Sequence, residues 1–193
     1  ARKLARSDVE NILIVGAGVV AAAMIQAYGA LYPDAAFSVW SRSRATAERL
    51  ASRVGGLRIV TGLEAAVRGA DVIVCATMAR DPVILGEWLQ PGQHVDLIGA
   101  YRPDMREADD EALRRARIFV DSRATTLAHI GELKTPLETG VITKDAIIAD
   151  FCDLASGKFS RRSDDEITLF KNGGGAHLDL MVSRYILQTW RNR

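Results

Sequence analysis

What is scarce in this chain narrows its function before any motif is read. It holds only two cysteines, Cys75 and Cys152, and three histidines among 193 residues. None of these falls at metal-ligand spacing and there is no CxxC pair, so neither a metal site nor a disulfide framework is expected. An excess of one charge is also missing: 25 Lys and Arg stand against 24 Asp and Glu, a formal charge of +1. Nucleic-acid and membrane-surface binders concentrate basic charge, so no partner of either kind is expected. No apolar run approaches the roughly 20 residues of a membrane span. Residues Ala1 to Asp8 carry no apolar signal region, and a soluble cytoplasmic protein is the default expectation.

What is present is a regular alternation of short apolar strands and helical stretches. Asn11–Val15, Phe37–Trp40, Leu57–Val60 and Asp71–Cys75 read as four strands. Val19–Gly29, Arg44–Arg53 and Leu63–Arg68 read as the helices between them, with Ser43 a candidate N-cap and Gly55-Gly56 a stop. Farther on, His94–Ile98, Arg117–Val120 and Glu166–Phe170 read as strands, and Asp109–Arg115, 123–131, 145–156 and Ala176–Trp190 as helices. Asp109, Asp110 and Glu111 would be the acidic first turn of one helix. The polar stretch 156–165 reads as the most mobile loop, and Trp88 and Trp190 read as packing residues. Short strands alternating with helices predict an α/β, Rossmann-type doubly wound domain over 1–193, its mostly parallel sheet covered on both faces.

The sharpest local signal is Gly16-Ala-Gly-Val-Val-Ala21, between the first strand and the first helix. Gly16 can make the turn, Gly18 leaves room for a pyrophosphate, and Ala21 is small enough for close helix-on-strand packing. The helix start at Ala17, Gly18, Val19 and Val20 would offer free amides and a partial positive charge. A tight turn with no ligand is the alternative. The second strand then ends Trp40-Ser-Arg-Ser43, where an NAD site would place an acid to hold the ribose hydroxyls. Ser41, Arg42 and Ser43 suit a 2′-phosphate, so NADP(H) is expected over NAD(H), unless the segment is only a solvated helix start. Thr77 and Met78 follow the fourth strand and would lie beside the nicotinamide half, or form an ordinary strand-to-loop transition.

In this order the chain resembles the ornithine cyclodeaminase and mu-crystallin family. The resemblance rests on Ile14–Gly18, Trp40–Ser43, Asp71–Thr77, Gly86–Gly92 (GEWLQPG), Gly99–Glu107 (GAYRPDMRE), Phe119–Ser122, Gly131–Leu133 and Glu166–Lys171 (EITLFK). It implies an enzyme of amino-acid metabolism with a further N-terminal lobe that supplies basic substrate-binding residues and most of a homodimer contact. Segment 166–193 would return towards that lobe, and this chain alone would bind cofactor but be a poor catalyst.

Cyclodeaminases and related alanine dehydrogenases carry an Asp two residues after the glycine matching Gly99; here that position is Tyr101. A phenol, with a reference pKa near ~10, makes a poor base at neutral pH. The resemblance therefore points to the ketimine-reducing branch, which reduces 1-pyrroline-2-carboxylate or 1-piperideine-2-carboxylate with NAD(P)H. Tyr101 would hydrogen-bond substrate or simply pack. Asn172 and Gly173 stand where the family has the nicotinamide and substrate junction, or form a flexible hinge. His177 is a weaker candidate for touching substrate. The alternatives are an ornithine cyclodeaminase that recycles NAD, and a non-enzymatic NADPH-stabilised protein that binds a small ligand.

Overall fold

A computed structural model describes residues 1–192. The strands are β1 (Asn11–Val15), β2 (Ala36–Trp40), β3 (Arg58–Ile59), β4 (Val72–Cys75), β5 (His94–Leu97), β6 (Ala116–Val120), β7 (Ile147–Ala149) and β8 (Ile167–Lys171). The helices are α1 (Val19–Leu31), α2 (Arg44–Val54), α3 (Leu63–Arg68), α4 (Asp110–Arg115), α5 (Arg123–Thr126), α6 (Gly131–Glu138) and α7 (Ala176–Arg191). All strand pairs are parallel, in the order β3-β2-β1-β4-β5-β8-β6-β7. The fold is α/β and Rossmann-like, as expected.

Alternation along the strands builds two cores, because successive side chains point to opposite faces. Ile12, Ile14, Val72 and Val74 pack against Ala21 and Ile25 of α1 and Leu50 of α2. Leu13, Val15, Ile73 and Cys75 face the other way, towards Val67 of α3, Leu113 of α4 and Leu133 of α6. With both faces covered, the central strands need apolar residues at every position, and β4 is buried throughout.

Several local expectations are corrected. Segment 145–156 is not a helix. Ile147–Ala149 is an edge strand beside β6, followed by a 3-10 turn over Phe151–Ser156. A stretch rich in Ala, Ile and Phe satisfies either geometry, and the free edge of β6 decides for the strand. Helix 123–131 is a single turn ending at Thr126, which leaves His129 in an exposed turn, and α6 follows despite Pro136 within it. The loop 156–165 is anchored. Arg161 donates to the carbonyls of Leu4, Gly92, Gln93 and Glu166, and Phe159 is buried beside Phe119. Trp88 packs on the core, but Trp190 is 70% exposed and no residue of α7 is buried. Cys75 lies in the core and Cys152 is exposed, both free.

Candidate functional site

The chain passes from β1 outward to β2 and β3, then returns to pair β4 on the other side of β1. That reversal opens a crevice beyond the carboxyl ends of β1 and β4. A cleft of about 410 Å³ sits there, lined by Gly16 to Gly18, Trp40 to Arg42, Thr46, Ala76 to Ala79 and Val83. Its wall contains one cation, Arg42, and no carboxylate.

The two motif glycines have different duties. Gly16 has φ of +110°, and a Cβ there would strike the carbonyl of Ala76. It exists to let β1 and the exit of β4 lie side by side. A Cβ at Gly18 would meet nothing within 4 Å, so the space over that residue is open. Gly18 also caps α1, whose first turn has neither an acidic residue nor a side-chain cap bond. Its first amides are therefore available to an anion, strengthened by the helix dipole. Val19 is 83% exposed at this end, whereas Ala21 is fully buried against the sheet.

At the end of β2, the Ser41 hydroxyl bonds Thr46 Oγ1 at 2.9 Å, and Thr46 Oγ1 donates to the Ser43 carbonyl at 2.6 Å. These bonds shape the entry to α2; Ser43 stands at its N-cap without a side-chain cap bond. Arg44 pairs with Glu48 at 2.8 Å. Arg42 is exposed, and among the described residues it has no ion-pair partner. Open amides, a free guanidinium and an acid-free wall fit a dinucleotide carrying several phosphates.

Thr77 and Met78 line the same cleft, Met78 with its side chain exposed. Both donors of Thr77 are already engaged. Its amide (2.7 Å) and hydroxyl (2.9 Å) donate to Glu107 Oε1, and the hydroxyl oxygen accepts from the Ala79 amide at 3.3 Å, so Thr77 has no donor left for a ligand. Tyr101 is 56% exposed and not packed. Asn172 follows β8, donates its amide to the Leu97 carbonyl at 3.0 Å, and accepts from the Gly174 amide at 2.9 Å. Asn172 and Gly173 thus reach the carboxyl edge on β8, next to β5, apart from the residues lining the first cleft.

Of the buried charged residues that the sequence did not single out, four bear on this edge of the sheet. Asp121, at the end of β6, accepts from the amides of Ser122, Gly173 and Gly174 at 2.8 to 3.0 Å, and lies 3.6 Å from His177 Nε2. Glu107, Glu132 and Lys171 are fully buried below the β4 and β5 exits. Burial pushes the Glu132 carboxyl up to about 7 and the Lys171 amine down. Burial, with the nearby Glu107 charge, holds the Cys75 thiol well above its usual range, so it is no nucleophile. Each of the four stands inside a run that carries the family resemblance; that coincidence was the available signal. Among the described residues, no three His, Cys, Asp or Glu side chains cluster as a metal site.

A family model described as the ornithine cyclodeaminase/mu-crystallin family matches residues 1–193. The chain belongs to that family. It is 54% identical over 189 residues to the Delta(1)-pyrroline-2-carboxylate reductase of Paracoccus denitrificans, covering 95% of this chain and 60% of that protein. The ketimine reductase mu-crystallin of Mus musculus is 35% identical over 192 residues, covering 98% of this chain and 59% of that family member. A Thermococcus litoralis Delta(1)-pyrroline-2-carboxylate reductase, solved with NADH and L-proline, superposes with a TM-score of 0.82 at 30% identity. That superposition covers 90% of this chain and 55% of the other. The chain therefore spans about 60% of the length of the curated relatives it matches.

Proposed function

We propose that this chain carries the nucleotide-binding part of an NADPH-dependent reductase of small cyclic ketimine carboxylates, of the 1-pyrroline-2-carboxylate or 1-piperideine-2-carboxylate type. The observation that carries the cofactor reading is the acid-free cleft with Arg42 at the end of β2. The family relatives named above, with a non-carboxylate Tyr101 after Gly99, support the substrate reading.

A bound nicotinamide would supply hydride to the C=N carbon of the protonated imine, which thereby becomes the amine. A protonated imine is already electrophilic, so the protein's task is orientation and electrostatics. Gly16 to Val20 would hold the phosphates through backbone amides, and Arg42 with the Ser43 hydroxyl would take the 2′-phosphate, beside Ser41. Thr77 and Met78 of the cleft, with Asn172 and Gly173 at the end of β8, would border the nicotinamide half. Tyr101 is exposed where it can hydrogen-bond substrate or close over it. A further lobe would supply the groups that hold the substrate carboxylate and the homodimer contact. The exposed apolar side chains of α7, such as Met181, Tyr185 and Trp190, support the return of 166–193 towards such a lobe. No helix among the described residues is long and apolar enough to cross a membrane.

Two experiments test this reading. The full-length protein should oxidise NADPH one-for-one with cyclic imine; ammonia release from ornithine without net cofactor change would replace it with a cyclodeaminase. Arg42→Ala should weaken NADPH binding by about 1–3 kcal/mol while sparing NADH. Equal loss for both cofactors would remove the 2′-phosphate assignment.

A further inference from the structure

Beyond the open cleft, the exits of β4 and β5 leave the sheet side by side, and Glu107 folds back between them. Its Oε1 accepts from the Thr77 amide and hydroxyl at 2.7 and 2.9 Å. Its Oε2 accepts from the Gly99 amide at 2.7 Å and the Ala100 amide at 3.1 Å. A carboxylate offers about four acceptor positions, and here all are taken. The two exits also touch directly. A Cβ at Gly99 would collide with the Thr77 backbone and come within 2.6 Å of Glu107 Oε1.

The carboxylate is itself held in place. Glu132, at the start of α6, accepts from the amides of Glu107 and Ala108 at 2.7 and 3.0 Å. Lys171, at the end of β8, donates to the Leu97 carbonyl at 3.0 Å, immediately below the β5 exit. Burying charge is expensive, and here it is offset by four hydrogen bonds, three of them from backbone amides that an apolar side chain would leave unpaired. A carboxylate has a property such a side chain lacks: it fixes four donors at once, in direction as well as distance. The loops so fixed are Thr77, which walls the cleft, and Gly99 to Tyr101 on the next strand.

We propose that Glu107 is a positioning residue that locks the β4 and β5 exits into one rigid wall for the nicotinamide half of the dinucleotide, acting through Thr77 and Gly99 without touching the ligand. The inference rests on the reading of the cleft as a nicotinamide dinucleotide site. The adenosine and phosphate half would rest on the β1–α1 turn and Arg42, which share no hydrogen bond or ion pair with Glu107.

That division supplies the test. With the full-length protein, the affinity of whichever of NADPH and NADH binds more tightly is compared with that of its adenine fragment (adenosine 2′,5′-bisphosphate or ADP), which lacks the nicotinamide. The nicotinamide fluorescence of the bound cofactor reports ring immobilisation, and Tm reports the fold. Glu107→Gln turns an NH₂ towards backbone amides and releases at least one exit. It should weaken the intact cofactor about tenfold and lower its fluorescence enhancement, while the fragment changes less than about twofold. Thr77→Val, which removes one of the four donors and the acceptor of the Ala79 amide, should give about a threefold loss in the same direction, with Tm reporting whether the fold is kept. Unchanged affinity for the intact cofactor in both variants would overturn the proposal. So would an equal loss for cofactor and fragment, the mark of a merely structural role. If the wild type binds neither, the dinucleotide reading itself fails and takes this inference with it.

Discussion

At the β1–α1 turn, the first amides of α1 meet no acid and no capping side chain, and the space above Gly18 is empty of protein. At the neighbouring β4 and β5 exits, the amides of Thr77, Gly99 and Ala100 are all occupied by Glu107. The same edge of one sheet thus treats backbone donors in two ways. Donors left open are free to meet an anion that comes and goes. Donors closed by a buried carboxylate make a wall that cannot adapt, which suits the end of a cofactor where a reacting carbon must be placed.

The contrast breaks most severely at Gly16. Because φ is +110° and a Cβ meets the Ala76 carbonyl, Gly16→Ala should cost about 2–4 kcal/mol of stability, measured by urea denaturation with nucleotide absent. On the closed side, Glu132 provides a pH test. Burial raises its carboxyl to about 7 in the fold, against ~4.3 unfolded. The protonated form therefore favours the folded state. That contribution is complete below pH ~4 and is lost as the pH rises through 7, by about 4 kcal/mol in all. Glu132→Gln removes this dependence, so its stability relative to wild type should improve steadily from pH 5 to 8; parallel curves would contradict the assignment. The mildest change sharpens the open side. Gly18→Ala has room for its methyl and should leave Tm unchanged, yet weaken nucleotide binding about tenfold by standing where the phosphates approach. Equal effects of Gly16→Ala and Gly18→Ala on stability would erase the distinction between the two glycines.

Legibility in the sequence followed the same divide. The open side is local: a strand, a turn of small residues and a helix within Asn11–Leu31, then a charge at the end of the next strand. Period and turn chemistry in a short window reveal such a unit. The closed side is assembled from residues far apart. Glu107 lies 30 residues from Thr77, and Glu132 lies 25 from Glu107. Nothing in the local pattern distinguishes these carboxylates from exposed ones such as Glu48 or Glu64. They stood within runs that resembled the family, but their role depended on burial. Ile147–Ala149 failed for a related reason, since a three-residue edge strand is specified by its neighbour more than by its own composition.

Short-range order alone determined the alternation of strands and helices, the glycine turn after β1 and the basic residue after β2, because each depends on residues in sequence contact and on the periods of 2 and 3.6. Tertiary structure decided the insertion of β8 between β5 and β6, the anchoring of 156–165 by Arg161, and the capture of four donors by one buried carboxylate. Each of those is a matter of which distant groups share a desolvated space, and desolvation is a property of the packed molecule that no single segment carries.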